Sequence, residues 1–283
     1  MESLYLTLKN NLKIHTLIKG DQSNPPLVLI HGWPSSCYLW RHMIPELSKH
    51  FYVLAPDLPG HGKSDKPQNA KYDLSFLRGF ILDFYDALNL KTASLAAHDL
   101  GGMAGLSFAV RHPERLDKFI IMDTSPYPEW SFLLHLSIYL LKQKYLTRFF
   151  LNRFVFKQVL KNGFYNKKFI TPHVLELFRI PWLSSIEGRR AFSKTIEIPP
   201  SQMVESKEAL QKIKSHTLIL WGKNDFFFPF KIARRLHKDI KNSTLVCVDK
   251  AGHFLQEEQP EFIYRQITSF FKDQKTGQSH GSQ

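Results

Sequence analysis

Six short apolar runs set the limits on what this chain can fold into. They are "PLVLIH" (26–31), "FYVLAPD" (51–57), "TASLAAHD" (92–99), "KFIIMD" (118–123), "HTLILWG" (216–222) and "STLVCVD" (243–249), and each stops at a charged or turn-forming residue. Runs this short, with little polar alternation, suit strands buried on both faces, as in a parallel sheet covered by helices. The sequence between them is helix-like. "LSFLRGFILDFYDALNL" (74–90) places Leu74, Leu77, Ile81, Phe84, Tyr85 and Leu88 on one stripe, and "SSCYLWRHMIPELSK" also has helical spacing. Ahead of these, "LYLTL" and "KIHTLI" alternate apolar and polar residues around "KNN", which predicts an entry hairpin. The whole pattern predicts an α/β fold with a mostly parallel, doubly wound sheet.

One stretch breaks the rhythm. Residues 124–214 are helical and aromatic-rich with no convincing strand, yet they lie between two strands of the sheet. A crossover needs only about a dozen residues, so this segment reads as a helical cap over the carboxyl ends of the strands. The expected division is a core of 1–123 and 215–272, a cap of 124–214, and a disordered tail over 273–283. The 283 residues are 43% hydrophobic and 22% charged, a composition that excludes global disorder.

Cys37 and Cys247 have no metal-type spacing and form no disulfide framework, which suits a reduced, cytoplasmic setting. The N-terminus lacks the pattern of a signal peptide. No apolar run approaches the length of a membrane span, and "FLLHLSIYLL" (132–141) is too short for one. No cofactor or metal motif is expected. The net charge of +13 comes with no nucleic-acid-binding motif, so nucleic acid is not an expected partner. Much of that charge lies in the cap. From Trp130 to Leu175 there is no acidic residue, while Lys142, Lys144, Arg148, Arg153, Lys157, Lys161, Lys167 and Lys168 interleave with Phe149, Phe150, Leu151, Phe154 and Phe156. The bland reading is a solvated basic face; the sharper one is peripheral contact with an anionic membrane.

The chemistry turns on "AAHDLGGMAG" (96–105). Hydrolases with a G-x-S-x-G elbow hold a serine at the centre of such a strand-to-helix turn, and here the centre is Asp99. Taken with "HGWPSS" (31–36), "DLPGHGKSDKP" (57–67), "WGKNDFFFP" and "AGHFLQEEQPE", in this order across residues 4–271, the chain resembles the α/β-hydrolase family. Within that family an aspartate at the elbow resembles the haloalkane dehalogenase and epoxide hydrolase branch. The resemblance implies a nucleophile, an acid and a histidine in chain order, matched by Asp99, Asp225 and His253. It also implies an oxyanion hole from the backbone N–H groups of Trp33 and Leu100.

A carboxylate is already ionised at neutral pH and suits attack on saturated carbon, giving an alkyl-enzyme ester. A histidine would then activate water against that ester. Asp123, ending "KFIIMD", is the alternative partner for His253. His31 and His98 read as packing or hydrogen-bonding residues, and Asp57 and His61 as residues fixing a turn. "SSCYLWRHMIPEL" and "HFLQEEQPE" resemble dehalogenases, but Leu100 stands where those enzymes carry a tryptophan that holds the halide. "HGWP" resembles epoxide hydrolases, whose cap tyrosines protonate the epoxide oxygen; Tyr127, Tyr139, Tyr145 and Tyr165 are the candidates. The expected function is therefore hydrolysis of a small lipophilic molecule, epoxide hydrolase-like, with haloalkane dehalogenation as the alternative. A non-catalytic ligand-binding protein on the same fold is the alternative of another class.

Overall fold

Eight strands line up in one sheet in the order β1-β2-β4-β3-β5-β6-β7-β8. They are β1 (Glu2–Thr7), β2 (Lys13–Lys19), β3 (Pro26–Ile30), β4 (Tyr52–Pro56), β5 (Ala93–His98), β6 (Leu116–Met122), β7 (His216–Gly222) and β8 (Ser243–Val248). This computed structural model describes residues 1–127, 136, 138–140, 143, 146–196 and 205–272. The tail expected over 273–283 lies outside the described residues. β1 and β2 form the expected antiparallel hairpin, β2 pairs antiparallel with β4, and every later pairing is parallel. β5 is buried along its whole length, as its "ASLAAH" composition requires at the sheet's centre.

Helices cover both faces. α1 (Leu74–Ala87) starts at Asp73, whose side chain accepts the Phe76 N–H at 2.9 Å, and it ends before Asn89, a residue with φ of 55°. α2 (Asp99–Arg111) begins directly where β5 ends and packs on α1. Between β6 and β7 come α3 (Arg153–Gly163), α4 (Pro172–Leu183) and α5 (Ile186–Lys194). Each starts at a side-chain cap, from Asn152, Thr171 and Ser185 respectively, and no strand occurs among the described residues of this segment. α6 (Lys231–Asp239) and α7 (Pro260–Lys272) complete the core.

The helix expected over "SSCYLWRHMIPELSK" does not form as one element. It is a 3₁₀ turn at Cys37–Trp40 followed by a single helical turn at Ile44–Leu47. Pro45 lacks an N–H to continue a helix from the preceding turn, and the Cys37 N–H is taken by Asp57 Oδ1 at 2.7 Å.

The inserted helices are tied to the core at a few defined points. Trp182 on α4 donates its indole N–H to the Pro34 carbonyl at 3.0 Å, and Phe164 and Phe178 pack on Phe254. Glu258, only 4% exposed, accepts the N–H groups of Gly252 (2.7 Å), Tyr165 (3.1 Å) and Asn166 (2.6 Å). The backbones meet closely there: a Cβ on Gly252 would lie 2.6 Å from the Gly163 carbonyl oxygen. Each buried donor left without an acceptor costs about 1–3 kcal/mol. Glu258→Ala is therefore expected to lower unfolding stability by about 3 kcal/mol or more, measured by urea denaturation, with Glu258→Gln intermediate.

Candidate active site

Five parallel strands deliver the relevant residues to one edge of the sheet, because parallel strands all end on the same side. β3 leads into His31, Gly32 and Trp33, β5 into Asp99, β6 into Asp123, β7 towards Asp225 and β8 towards His253. Asp99 has φ of 53°, a left-handed conformation that a non-glycine residue adopts only under constraint. The constraint is visible on both sides. The Thr124 hydroxyl donates to the Asp99 carbonyl at 2.6 Å, and a Cβ on Gly32 would sit 2.3 Å from Asp99 Oδ1. Only glycine lets the loop after β3 approach so closely.

That approach brings the Trp33 N–H to 2.7 Å from Asp99 Oδ1. The Leu100 amide, at the start of α2, favours the charged form of this carboxylate. The other oxygen, Oδ2, is 3.5 Å from His253 Nε2, an ion pair rather than a tight hydrogen bond. On the far side of the ring, His253 Nδ1 lies 2.9 Å from Asp225 Oδ2. Asp225 Oδ1 accepts the N–H groups of Phe227 (2.7 Å) and Phe228 (3.1 Å), which fixes its carboxylate. The structure thus brings Asp99, His253 and Asp225 into one line, with the Trp33 and Leu100 amides at its end. Such a line can carry out nucleophilic attack, water activation and charge stabilisation.

Family comparison agrees with this geometry. The model of the α/β hydrolase fold matches residues 25–172, over half of the chain, and one described as TAP-like protein matches residues 190–282. The chain belongs to the α/β-hydrolase family. An uncharacterized hydrolase of Bacillus subtilis is 30% identical over 87% of this chain and 89% of its own length. Epoxide hydrolase 4 of Homo sapiens is 29% identical over 95% of this chain and 79% of its own length. A solved epoxide hydrolase structure superimposes with a TM-score of 0.83 over 96% of this chain and 99% of that one; at 22% identity the likeness is one of fold. The chain is a hydrolase, and several of its relatives are named epoxide hydrolases.

The hydrolase holds its charges unevenly. Burial opposes a charged His253, yet Asp225 and Asp99 outweigh it and push the imidazole up to about 10. Burial would raise Asp99, but the hydrogen bond and charge of His253 outweigh it and hold the carboxyl below its ordinary range. His98 is pushed down to about 3 by burial and by the neighbouring His253 charge; its Nε2–H donates to the His253 carbonyl at 2.9 Å. It stays neutral, as a residue that positions the histidine loop. His31 similarly accepts the Leu58 N–H at 2.9 Å.

Asp123 does not reach His253 through any hydrogen bond or ion pair among the described residues. Its Oδ1 accepts the Gly222 N–H at 2.9 Å, while its Oδ2 is buried with no donor in reach. Burial and the adjacent Asp225 charge hold its carboxyl well above the usual range. The protonated form of Asp123 is thereby favoured, and a proton on the unmatched Oδ2 would make it a donor.

The cap tyrosines scatter. Tyr127 packs in the core and donates its hydroxyl to Asp239 Oδ2 at 2.7 Å, beneath Arg235. Tyr139 and Tyr165 are exposed, and Tyr145 lies outside the described residues. Two features escaped the sequence reading. The indole N–H of Trp33 is buried and has no partner among the described residues, a donor the motif "HGWP" announces only as a backbone position. His15 joins Asp57 at 2.7 Å with Cys37 Sγ 3.7 Å away, close enough for a metal by distance alone. Asp57 is also occupied by the Cys37 and Lys63 N–H groups, so the cluster does the turn-fixing work expected of Asp57.

Two outcomes are expected from these charges. His253, raised in the folded state, contributes stability that is complete below its unfolded pKa of about 6.5 and disappears as pH rises through about 10. Thermal melts should fall across that window, with the slope reduced in Asp225→Asn. Asp123→Asn replaces a neutral carboxyl by a neutral amide and should leave kcat within about three-fold, whereas Asp225→Asn should lower it by about 10⁴. The reverse ranking in steady-state kinetics would make Asp123 the acid.

Proposed function

We propose that this hydrolase opens epoxides through a covalent ester on Asp99. The observation that carries the reading is the Asp99 carboxylate itself, with one oxygen on the Trp33 N–H at 2.7 Å and the other 3.5 Å from His253. Oδ2 attacks a ring carbon, the carbon–oxygen bond of the epoxide breaks, and the freed oxygen takes up a proton to become a hydroxyl. Of the four candidate donors, Tyr127 is held by Asp239 while Tyr139 and Tyr165 face solvent, so Tyr145 is the one to test first.

Ester formation removes the negative charge from Asp99. The pull that keeps His253 protonated weakens, and its pKa falls towards the range where it can act as a base. His253, oriented by Asp225, then takes a proton from water as that water attacks the Asp99 carboxyl carbon. Negative charge builds on Oδ1, where the Trp33 amide already points, and the Leu100 amide is the second donor of this reading. The tetrahedral intermediate collapses as the bond to the product oxygen breaks, and that oxygen takes the proton from His253. The diol leaves, and the Asp99 carboxyl passes its remaining proton to His253 to become a carboxylate again.

The unmatched Trp33 indole N–H supports a second reading, halide displacement, because such a donor can hold a departing halide. Intact-protein mass separates the two. His253→Ala incubated with an epoxide should gain the whole mass of that epoxide, and with a bromoalkane only the alkyl group less a proton. Faster adduct formation and higher wild-type kcat/KM with epoxides than with bromoalkanes of matched size is the expected result. A tenfold preference for bromoalkanes would favour the dehalogenase reading. Turnover by the wild type with no adduct on Asp99 would rule out the covalent route altogether.

A further inference from the structure

The outer surface of α3 and its surroundings is unusual in what it leaves in water. α3 buries Phe156, Leu160 and Gly163, so its inward stripe is complete. Phe154 nevertheless stands 70% exposed on the same helix, with Lys157, Gln158 and Lys161 three, four and seven positions further on. The turn Thr147–Phe150, which packs against α3, adds Phe149 at 57% exposure, and the 3₁₀ turn Lys167–Phe169 adds Phe169 at 38%. Large apolar groups brought together on one surface signal a partner, whereas scattered ones do not.

The charge beside these rings has one sign. Glu176 is shared by Arg153 (2.8 Å) and Arg179 (2.7 Å). Among the described residues, Lys157, Lys161 and Lys168 make no ion pair. Between α3 and the start of α4 lies an open cavity of about 430 Å³, whose apolar walls are Phe154, Ile170, Pro172 and Leu175 and whose cations are Arg153 and Lys157. No acidic residue lines it. Among the described residues no helix is long and apolar enough to cross a membrane, so any lipid contact would be at the surface.

We propose that this face docks the hydrolase on an anionic lipid bilayer. Phe149, Phe154 and Phe169 enter the headgroup boundary as separate apolar anchors, Lys157, Lys161 and Lys168 meet lipid phosphates, and the cavity takes a headgroup with the top of its acyl chain. A soluble acidic protein or a polyanion would satisfy the lysines but would leave three phenylalanine rings in water. The bilayer satisfies both sets of groups. The inference stands on the surface alone and is independent of the chemistry at Asp99.

Vesicle flotation with the 283-residue chain tests it, using phosphatidylcholine with and without about one third phosphatidylglycerol. The protein should float with the anionic vesicles only. Replacing Lys157, Lys161 and Lys168 together by Ser should weaken binding by roughly 100-fold, as should raising salt from about 0.1 to 1 M. Phe154→Ser and Phe169→Ser should each weaken binding at constant charge. Turnover of a small water-soluble substrate should not change in any of these variants. Failure to float with anionic vesicles overturns the proposal. So does flotation unaffected by the lysine and phenylalanine substitutions, which would assign it to another surface. Binding to soluble polyglutamate as tight as to vesicles, with Phe154→Ser without effect, would make this a polyanion site instead.

Discussion

An imidazole caught between two carboxylates in a nearly dry site governs the rest of this structure. Such a group of charges is expensive to bury unless each member is matched. His253 is matched on both sides by Asp99 and Asp225. Each carboxylate then needs its second oxygen satisfied, and backbone amides do this: Trp33 for Asp99, Phe227 and Phe228 for Asp225. The neighbours are kept out of the charge balance. His98, 4.6 Å from His253 ring to ring, is driven to its neutral form, and burial beside Asp225 favours the neutral form of Asp123 as well. Two charges that could have been present are suppressed so that three can coexist.

The sheet makes this affordable in geometry. Its parallel strands release five loops at one edge, and the loops can crowd because a glycine sits where the backbone of one meets the side chain of another, as at Gly32 against Asp99. The conformational strain at Asp99 is held from three sides: Gly32 after β3, Thr124 after β6, and the first turn of α2. The elbow is therefore a property of the whole sheet edge and not of the pentapeptide around Asp99.

Much of this was legible in the sequence, and the legible part has a common cause. Buried strands leave apolar runs and the entry hairpin leaves an alternation, so all eight strands could be placed, and Asp99 and His253 stand in motifs whose neighbours are constrained by close packing. What was not legible depends on direction or on distant pairing. The spacing of Tyr127 gives no sign that its hydroxyl turns to Asp239, 112 residues away. Residues 35–49 carry helical spacing, but Pro45 and the capture of the Cys37 amide by Asp57 divide them into two turns. Asp123 and Asp225 were rivals for one role on sequence alone; their difference arises only where Gly222 and the Phe227–Phe228 amides meet them.

Glu258 fastens the inserted helices to the histidine loop, yet every group it accepts from is a main-chain N–H, of Gly252, Tyr165 and Asn166. Any residue except proline supplies that group at 165 and 166. The attachment is consequently blind to the side chains it holds in place. Mutation can therefore exchange side chains on the inserted helices while the main-chain bonds that fasten them to the loop carrying His253 are inherited intact.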